Sequence, residues 1–181
     1  VFVYGADGYS VLSEFEHRLV DATTVATTKE TIYLPTSSGP MPVVAIINGE
    51  KFAVYADHLN TPRRLTDAQG QPRWQWAYSG FGELAPQSIP AAGKPAISYN
   101  LRFPGQVDDG NGLFYNWHRF YHPGTGRYTN ADPIGLEGGW NRFGYVGGNA
   151  LSGVDPEGLQ RRPSGAPVRP LFPSLGSPPP T

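Results

Sequence analysis

The stretch Val43-Val44-Ala45-Ile46-Ile47-Asn48-Gly49-Glu50-Lys51-Phe52-Ala53-Val54-Tyr55 decides the fold class. Residues 43–47 and 52–55 are apolar runs of strand length. Asn48-Gly49 between them is the dipeptide best able to take the left-handed φ values of a type I′ turn. Working outward, the same grammar repeats. Residues 63–66 and 73–78 flank Asp67-Ala68-Gln69-Gly70, a second hairpin signal, and Trp74, Trp76 and Tyr78 fall on one face, as sheet packing requires. Upstream, the threonine-rich residues 23–31 favour β structure and lead into Ile32-Tyr33-Leu34, while 35–42 read as a loop. Residues 1–19 read as strand, turn, strand around Tyr4-Gly5-Ala6-Asp7-Gly8. There Phe15 and His17 alternate with Glu14, Glu16 and Arg18 as on a half-buried strand. Downstream, 87–95 read as a flexible excursion and Asp108-Asp109-Gly110-Asn111-Gly112 as a turn. Residues 114–121 read as one two-faced strand, with Tyr115, Trp117 and Tyr121 opposite Phe114, His118 and Phe120. The expectation is an all-β meander.

Composition agrees with that reading. The 181 residues include 23 Gly and 19 Pro, with 13% aromatic and only 16% charged residues. Disordered chains are poor in aromatics, so this mixture points to short strands joined by tight turns. The length suffices for one domain with a sizeable core. Net charge is −1, and the longest basic runs are the pairs Arg63-Arg64 and Arg161-Arg162, so nothing drives the chain toward nucleic acid or an anionic membrane. There is no cysteine, which excludes disulfides, thiolate metal sites and a cysteine nucleophile. No apolar run approaches a membrane span. The chain opens at Val1 and its only methionine is Met41, so a fragment of a longer protein is expected.

No metal or cofactor is expected either. His118 and His122 are the only closely spaced histidines, and they are separated by strand and turn rather than sharing a helical face. Ser10 and Ser79 lack the flanking glycines of a nucleophile elbow, and no glycine loop follows a strand as a phosphate cradle does.

The segment from Asp132 to Leu159 carries the chemistry. It holds one small device twice, Asp132-Pro133-Ile134-Gly135 and Asp155-Pro156-Glu157-Gly158, each followed by a leucine, Leu136 and Leu159. Asp, Pro and Gly in those places suit a type I turn. Between the copies, Asn141 is placed to cap a helical turn over 142–146, and Gly147-Gly148-Asn149 reads as its stop. By spacing alone these are two ordinary turns. If the fold brings their carboxylates face to face, they form an acid–base pair, because two carboxyl groups sharing a site cannot both ionise easily. A glycosidase pair drawn from Asp108, Asp109, Asp132 and Asp155 is conceivable, but nothing selects it.

The quoted segment resembles the signature DPxGLxGGxNxYxYxxNPxxxxDPxGL of the Rhs core. That core is shared by Rhs and YD-repeat polymorphic toxins and the Tc-toxin C subunit. The resemblance extends upstream through Tyr55-Ala56-Asp57-His58-Leu59-Asn60-Thr61-Pro62-Arg63-Arg64-Leu65-Thr66-Asp67, Tyr78-Ser79-Gly80-Phe81-Gly82-Glu83, and Leu101-Arg102-Phe103-Pro104-Gly105-Gln106. It continues through Gly112-Leu113-Phe114-Tyr115-Asn116 and the run from Arg119 to Tyr128. It covers nearly everything from Tyr4 to Leu159. Departures are Ser79 and Gly80 where the family has Asp-Pro, Arg142 for Leu, Phe143 for Tyr, and Ala150 for Pro.

The resemblance implies residues 1–128 as part of a spiralling β-sheet shell and 129–159 as an inward-curling plug with a short helix. Residues 160–181 would be a Pro-rich tail, extended or disordered. It implies self-cleavage between Leu159 and Gln160, with Asp132 and Asp155 as an aspartyl-protease-like pair. The implied partners are the rest of the shell, an encapsulated C-terminal toxin and secretion-apparatus proteins. The setting would be a secreted or cell-surface protein of bacterial competition. The competing expectation is a structural or adhesive YD-repeat surface protein that binds carbohydrate and does not cut.

Overall fold

Eight strands pair in chain order into one antiparallel sheet: β1 (Phe2–Tyr4), β2 (Val11–Val20), β3 (Thr23–Thr36), β4 (Gly39–Ile47), β5 (Glu50–Ala56), β6 (Pro62–Thr66), β7 (Pro72–Gln75) and β8 (Gln87–Ser88). A four-stranded sheet follows, built from β9 (Val107–Asp108), β10 (Phe114–Asn116), β11 (Arg119–His122) and β12 (Arg127–Tyr128). A last pair joins β13 (Gly153–Val154) to β14 (Arg162–Pro163). The computed structural model describes residues 1–20 and 23–163; the rest of the tail, from 164 on, lies outside the described residues. The protein is all-β.

The hairpin signals operate as their chemistry dictates. Asn48 and Gly49 take φ values of 50° and 82°, and Ile47 pairs with Glu50 across them. Asp67 Oδ1 accepts the N–H groups of Gln69 and Gln71, closing the β6–β7 turn. Asp57 does the same for Leu59 and Thr61 and receives Arg63 Nε on its other oxygen.

Several expectations are corrected. Residues 35–42 are not an open loop: β3 and β4 stay paired through Pro35 and Pro40, turning only at Ser37-Ser38. Phe15 is 38% exposed, and the sheltered pair near it is Glu14 with Lys29, which Asn100 also joins. Tyr78 does not share the burial of Trp74 and Trp76, because β7 ends at Gln75; its ring carries the Arg63 guanidinium at 4.1 Å instead. The 87–95 excursion is tied back to β7 by Ile89 N–H on the Arg73 carbonyl and by Arg73 Nη2 on the Pro95 carbonyl.

Residues 114–121 are two strands rather than one. Trp117, at φ 52°, and His118 form the turn, so Phe114, Asn116, Arg119 and Tyr121 share a buried face. The helical turn over 142–146 is absent as well. Asn141 closes a β-turn, accepting Gly144 N–H on its carbonyl and Phe143 N–H on its side chain. Gly144 then bridges Arg127, extending the sheet, and the glycines of this segment are weak helix formers. Among the described residues the helical content is two 3-10 turns, Gly135–Gly138 and Val146–Gly148.

The core lies between one face of the large sheet and residues 97–150. The sheet contributes Ala45, Ile47, Phe52, Val54, Leu65, Trp74 and Trp76, all buried. Against these pack Tyr99, Phe103, Phe114, Tyr121, Tyr128 and Tyr145. Trp76 meets Phe103 at 5.4 Å between ring centroids, Phe103 meets Tyr145 at 5.8 Å, and Tyr145 meets Tyr121 at 4.7 Å. Such tilted aromatic contacts add directional preference to the burial itself. This relay of rings positions β10–β12 and the segment that follows them.

Candidate functional site

Both Asp-Pro turns come to one place. β10 and β11 deliver Asn116 and Arg119 on their inner face, β12 delivers Tyr128, and the turns after β12 and β13 deliver Asp132 and Asp155. Asp132 is 3% exposed and Asp155 2%, so both carboxyl groups lie in the interior. Arg119 stands between them: its Nη2 is 3.0 Å from Asp132 Oδ2 and 3.3 Å from Asp155 Oδ2. A buried carboxylate needs such a partner, because an unpaired charge in a low-dielectric interior is costly.

The remaining hydrogen bonds fix orientation. Asp155 Oδ1 accepts the N–H of Leu159 at 2.9 Å and the N–H of Gln160 at 3.0 Å, while Oδ2 accepts Tyr128 Oη–H at 2.8 Å. Asp155 therefore grips the peptide unit that joins Leu159 to Gln160. Asn116 Nδ2 donates to the Asp155 carbonyl and to Tyr128 Oη. Asp132 Oδ1 accepts Ile134 N–H, and its backbone is tied to Arg142 in both directions. Arg119 also donates Nε to the Gly158 carbonyl and Nη1 to the Arg142 carbonyl, and stacks 3.6 Å from the Tyr128 ring centroid.

Gly138 joins Asp132 to the same peptide unit. A Cβ on Gly138 would stand 2.4 Å from Asp132 Oδ2 and 2.9 Å from the Leu159 carbonyl oxygen. The two oxygens thus border one small space that a side chain would fill. A cleft of about 380 Å³ opens here, lined by Arg119, Gly138, Trp140, Asp155 and Leu159 among others, and gives solvent a route to the link.

Burial pushes the Asp155 carboxyl above the usual aspartate range, with Tyr128, the Leu159 and Gln160 amides and Arg119 pulling it partly back. Burial, reinforced by the Asp155 charge, raises Tyr128 well above an ordinary phenol, so it stays a donor. The arrangement sets one carboxyl group against the N–H of the Leu159–Gln160 link and a second, across Gly138, beside its carbonyl. Arg119, Tyr128 and Asn116 were not singled out from the sequence. Arg119 and Asn116 share a face only because of the unforeseen Trp117-His118 turn. Among the described residues no cluster of three or more His, Asp or Glu could hold a metal, and no helix is long and apolar enough to cross a membrane.

No family model matches the chain. Part of it is 44% identical over 85 residues to Toxin protein Tse5 of Pseudomonas aeruginosa, covering 46% of this chain and 6% of that protein. It is 40% identical over 90 residues to Double-stranded DNA deaminase toxin A of Burkholderia cenocepacia, covering 48% of this chain and 6% of that one. It is 37% identical over 89 residues to Probable deoxyribonuclease RhsA of Dickeya dadantii, covering 47% and 6%. The chain thus spans a small fraction of the length of these relatives. Among solved structures, the TcdB2-TccC3-TEV crystal structure matches 87% of this chain and 9% of its own at 22% identity, with a TM-score of 0.57. The Photorhabdus luminescens Tc holotoxin pore matches 89% and 9% at 21% identity, also with a TM-score of 0.57.

Proposed function

We propose that this chain, which is of the Rhs polymorphic-toxin type, forms the distal wall and plug of a toxin-enclosing β-shell and hydrolyses its own Leu159–Gln160 peptide bond. A single observation carries the reading: one oxygen of the buried Asp155 holds the N–H of Gln160 while Arg119 ties its other oxygen to Asp132.

The chemistry follows from those positions. Water enters by the cleft and adds to the Leu159 carbonyl carbon, with Asp132, across Gly138 from that carbonyl, taking a water proton. As the Leu159 carbon becomes tetrahedral, the Gln160 nitrogen turns its N–H away from Asp155 Oδ1, and Asp155, whose burial raises its hold on a proton, gives one to that nitrogen as the C–N bond breaks. Leu159 is left with a carboxylic acid that passes its proton to the new Gln160 amine, and Asp132 now holds a proton in place of the one Asp155 gave up, so atoms and protons balance. Arg119 offsets negative charge as it builds near both carboxyl groups. The link is part of the same folded turn as Asp155, so the effective concentration is high and one slow turnover suffices.

The shell role makes biological sense of a single cut. Hydrolysis after Leu159 would separate the wall from whatever follows it, a C-terminal effector, in a secreted or surface-delivered protein. Intact mass of the purified chain, followed over time, tests the reading. We expect a product comprising residues 1–159, absent in Asp132→Asn and in Asp155→Asn. A parent that keeps its full mass, or variants cut as fast as the parent, would overturn it.

A further inference from the structure

The far side of the Leu159–Gln160 link is gripped as firmly as the near side. β14 runs antiparallel to β13, with Val154 opposite Arg162 and Gly153 opposite Pro163. This pairing closes residues 155–161 into a loop, inside which Asp155 holds the Leu159 and Gln160 amides. Arg162 Nη2 donates to Glu157 Oε1, and the guanidinium also lies against the Tyr9 hydroxyl. The Arg162 and Glu157 side chains are only 22% and 19% exposed. Arg161 reaches Ser152 Oγ at 3.3 Å. The approach is close: a Cβ at Gly153 would stand 2.8 Å from Arg161 Nε and 3.2 Å from the Arg162 carbonyl oxygen.

Glu157 sits inside the second Asp-Pro turn, so one ion pair connects the turn that carries the acid to the chain beyond the cut. Register matters here, because a slip of one residue turns every side chain to the opposite face and shifts a neighbouring peptide bond onto Asp155. We propose that residues 161–163 act as a docked substrate strand, and that the Glu157–Arg162 pair is the positioning contact that sets which bond lies on the acid. This rests on the self-cleaving reading of the site. Neither residue touches the reacting atoms; both act through the strand.

The test uses the full chain and time-resolved intact mass. Arg162→Ala and Glu157→Ala should each slow product formation by about tenfold, the effect of a lost contact near 1.4 kcal/mol, and should yield cuts at bonds beside Leu159–Gln160. The exchanged double variant, Glu157→Arg with Arg162→Glu, should return both the rate and the single cut position, which a general loss of packing would not do. In the uncut Asp132→Asn background, Glu157→Ala should speed hydrogen exchange at the Arg161 and Arg162 amides. Single variants that cut at the parent's rate and position overturn the positioning role and leave self-cleavage standing. So does an exchanged variant no better than the single ones. A parent that never cuts overturns the self-cleaving reading itself.

Discussion

At the scale of single residues, Arg119 organises the site. One guanidinium serves two carboxylates and two backbone carbonyls and lies on the face of Tyr128. Arg119→Ala strands two buried acids at once, so it should cost about 3–5 kcal/mol and abolish the product. Arg119→Lys keeps the charge but lacks the planar fork, and should recover part of the stability and little of the cleavage. Denaturant melts beside intact-mass time courses separate the two effects. Asp155 gives a prediction with a definite sign. Burial raises its carboxyl above the ordinary range, so the native state binds this proton more tightly than the unfolded chain does. Its contribution to stability is fully present below the unfolded pKa and fades as pH rises through the native one. Relative to Asp155→Asn, the parent should therefore gain in Tm as pH is lowered from neutrality toward the ordinary aspartate range. Product formation should slow as pH rises through the same titration. Parallel Tm curves for the two proteins would refute this.

At the scale of elements, turns place the acids, and one turn leans on another. Gly105, at φ +84°, presses on the second Asp-Pro turn, where a Cβ would stand 2.0 Å from the Pro156 carbonyl oxygen. Gly105→Ala should push the Asp155 turn out of place and stop cleavage while β3–β6 keep their hydrogen-exchange protection. If cleavage survives, the turn does not depend on this contact. Legibility in the sequence followed the same division. The Asn48-Gly49 and Asp67–Gly70 hairpins were readable because their own residues dictate them, and the all-β class followed from such signals. The two acids were readable as turn residues and, through the motif they complete, as partners. The Trp117-His118 turn was not. It contains no glycine, proline or asparagine, and its contacts are remote: Tyr4 edges onto Trp117 at 5.2 Å, and His118 bonds the Glu157 carbonyl. Missing that turn hid Arg119 and Asn116, since a continuous strand would place them on different faces. The 142–146 turn failed for a related reason: pairing of Gly144 with Arg127 outweighs a local cap.

At the scale of the molecule, the large sheet and the site share one core. The Asp155 carboxyl is held by Tyr128, Tyr128 packs with Tyr121 and Tyr145, and these meet Phe103, which leans on Trp76, itself 1% exposed. Trp76→Ala should cost about 3–5 kcal/mol, and its effect should reach the cut through the fraction of molecules folded. Deleting the large sheet makes the same dependence absolute. Residues 97–181 alone keep Asp132, Asp155, Arg119 and the Leu159–Gln160 bond, yet lose the apolar face of Phe52, Leu65, Trp74 and Trp76. Among the described residues, what remains is short strands and tight turns, too little to offset the entropy of ordering them. This fragment should give no cooperative melt and should keep its full mass. Supplying residues 1–96 as a separate chain should restore the product ending at Leu159, because the missing contribution is packing rather than a reacting group. A fragment that cuts unaided would mean the two turns assemble without the sheet, and the wall would then be a container beside the site instead of the structure that creates it.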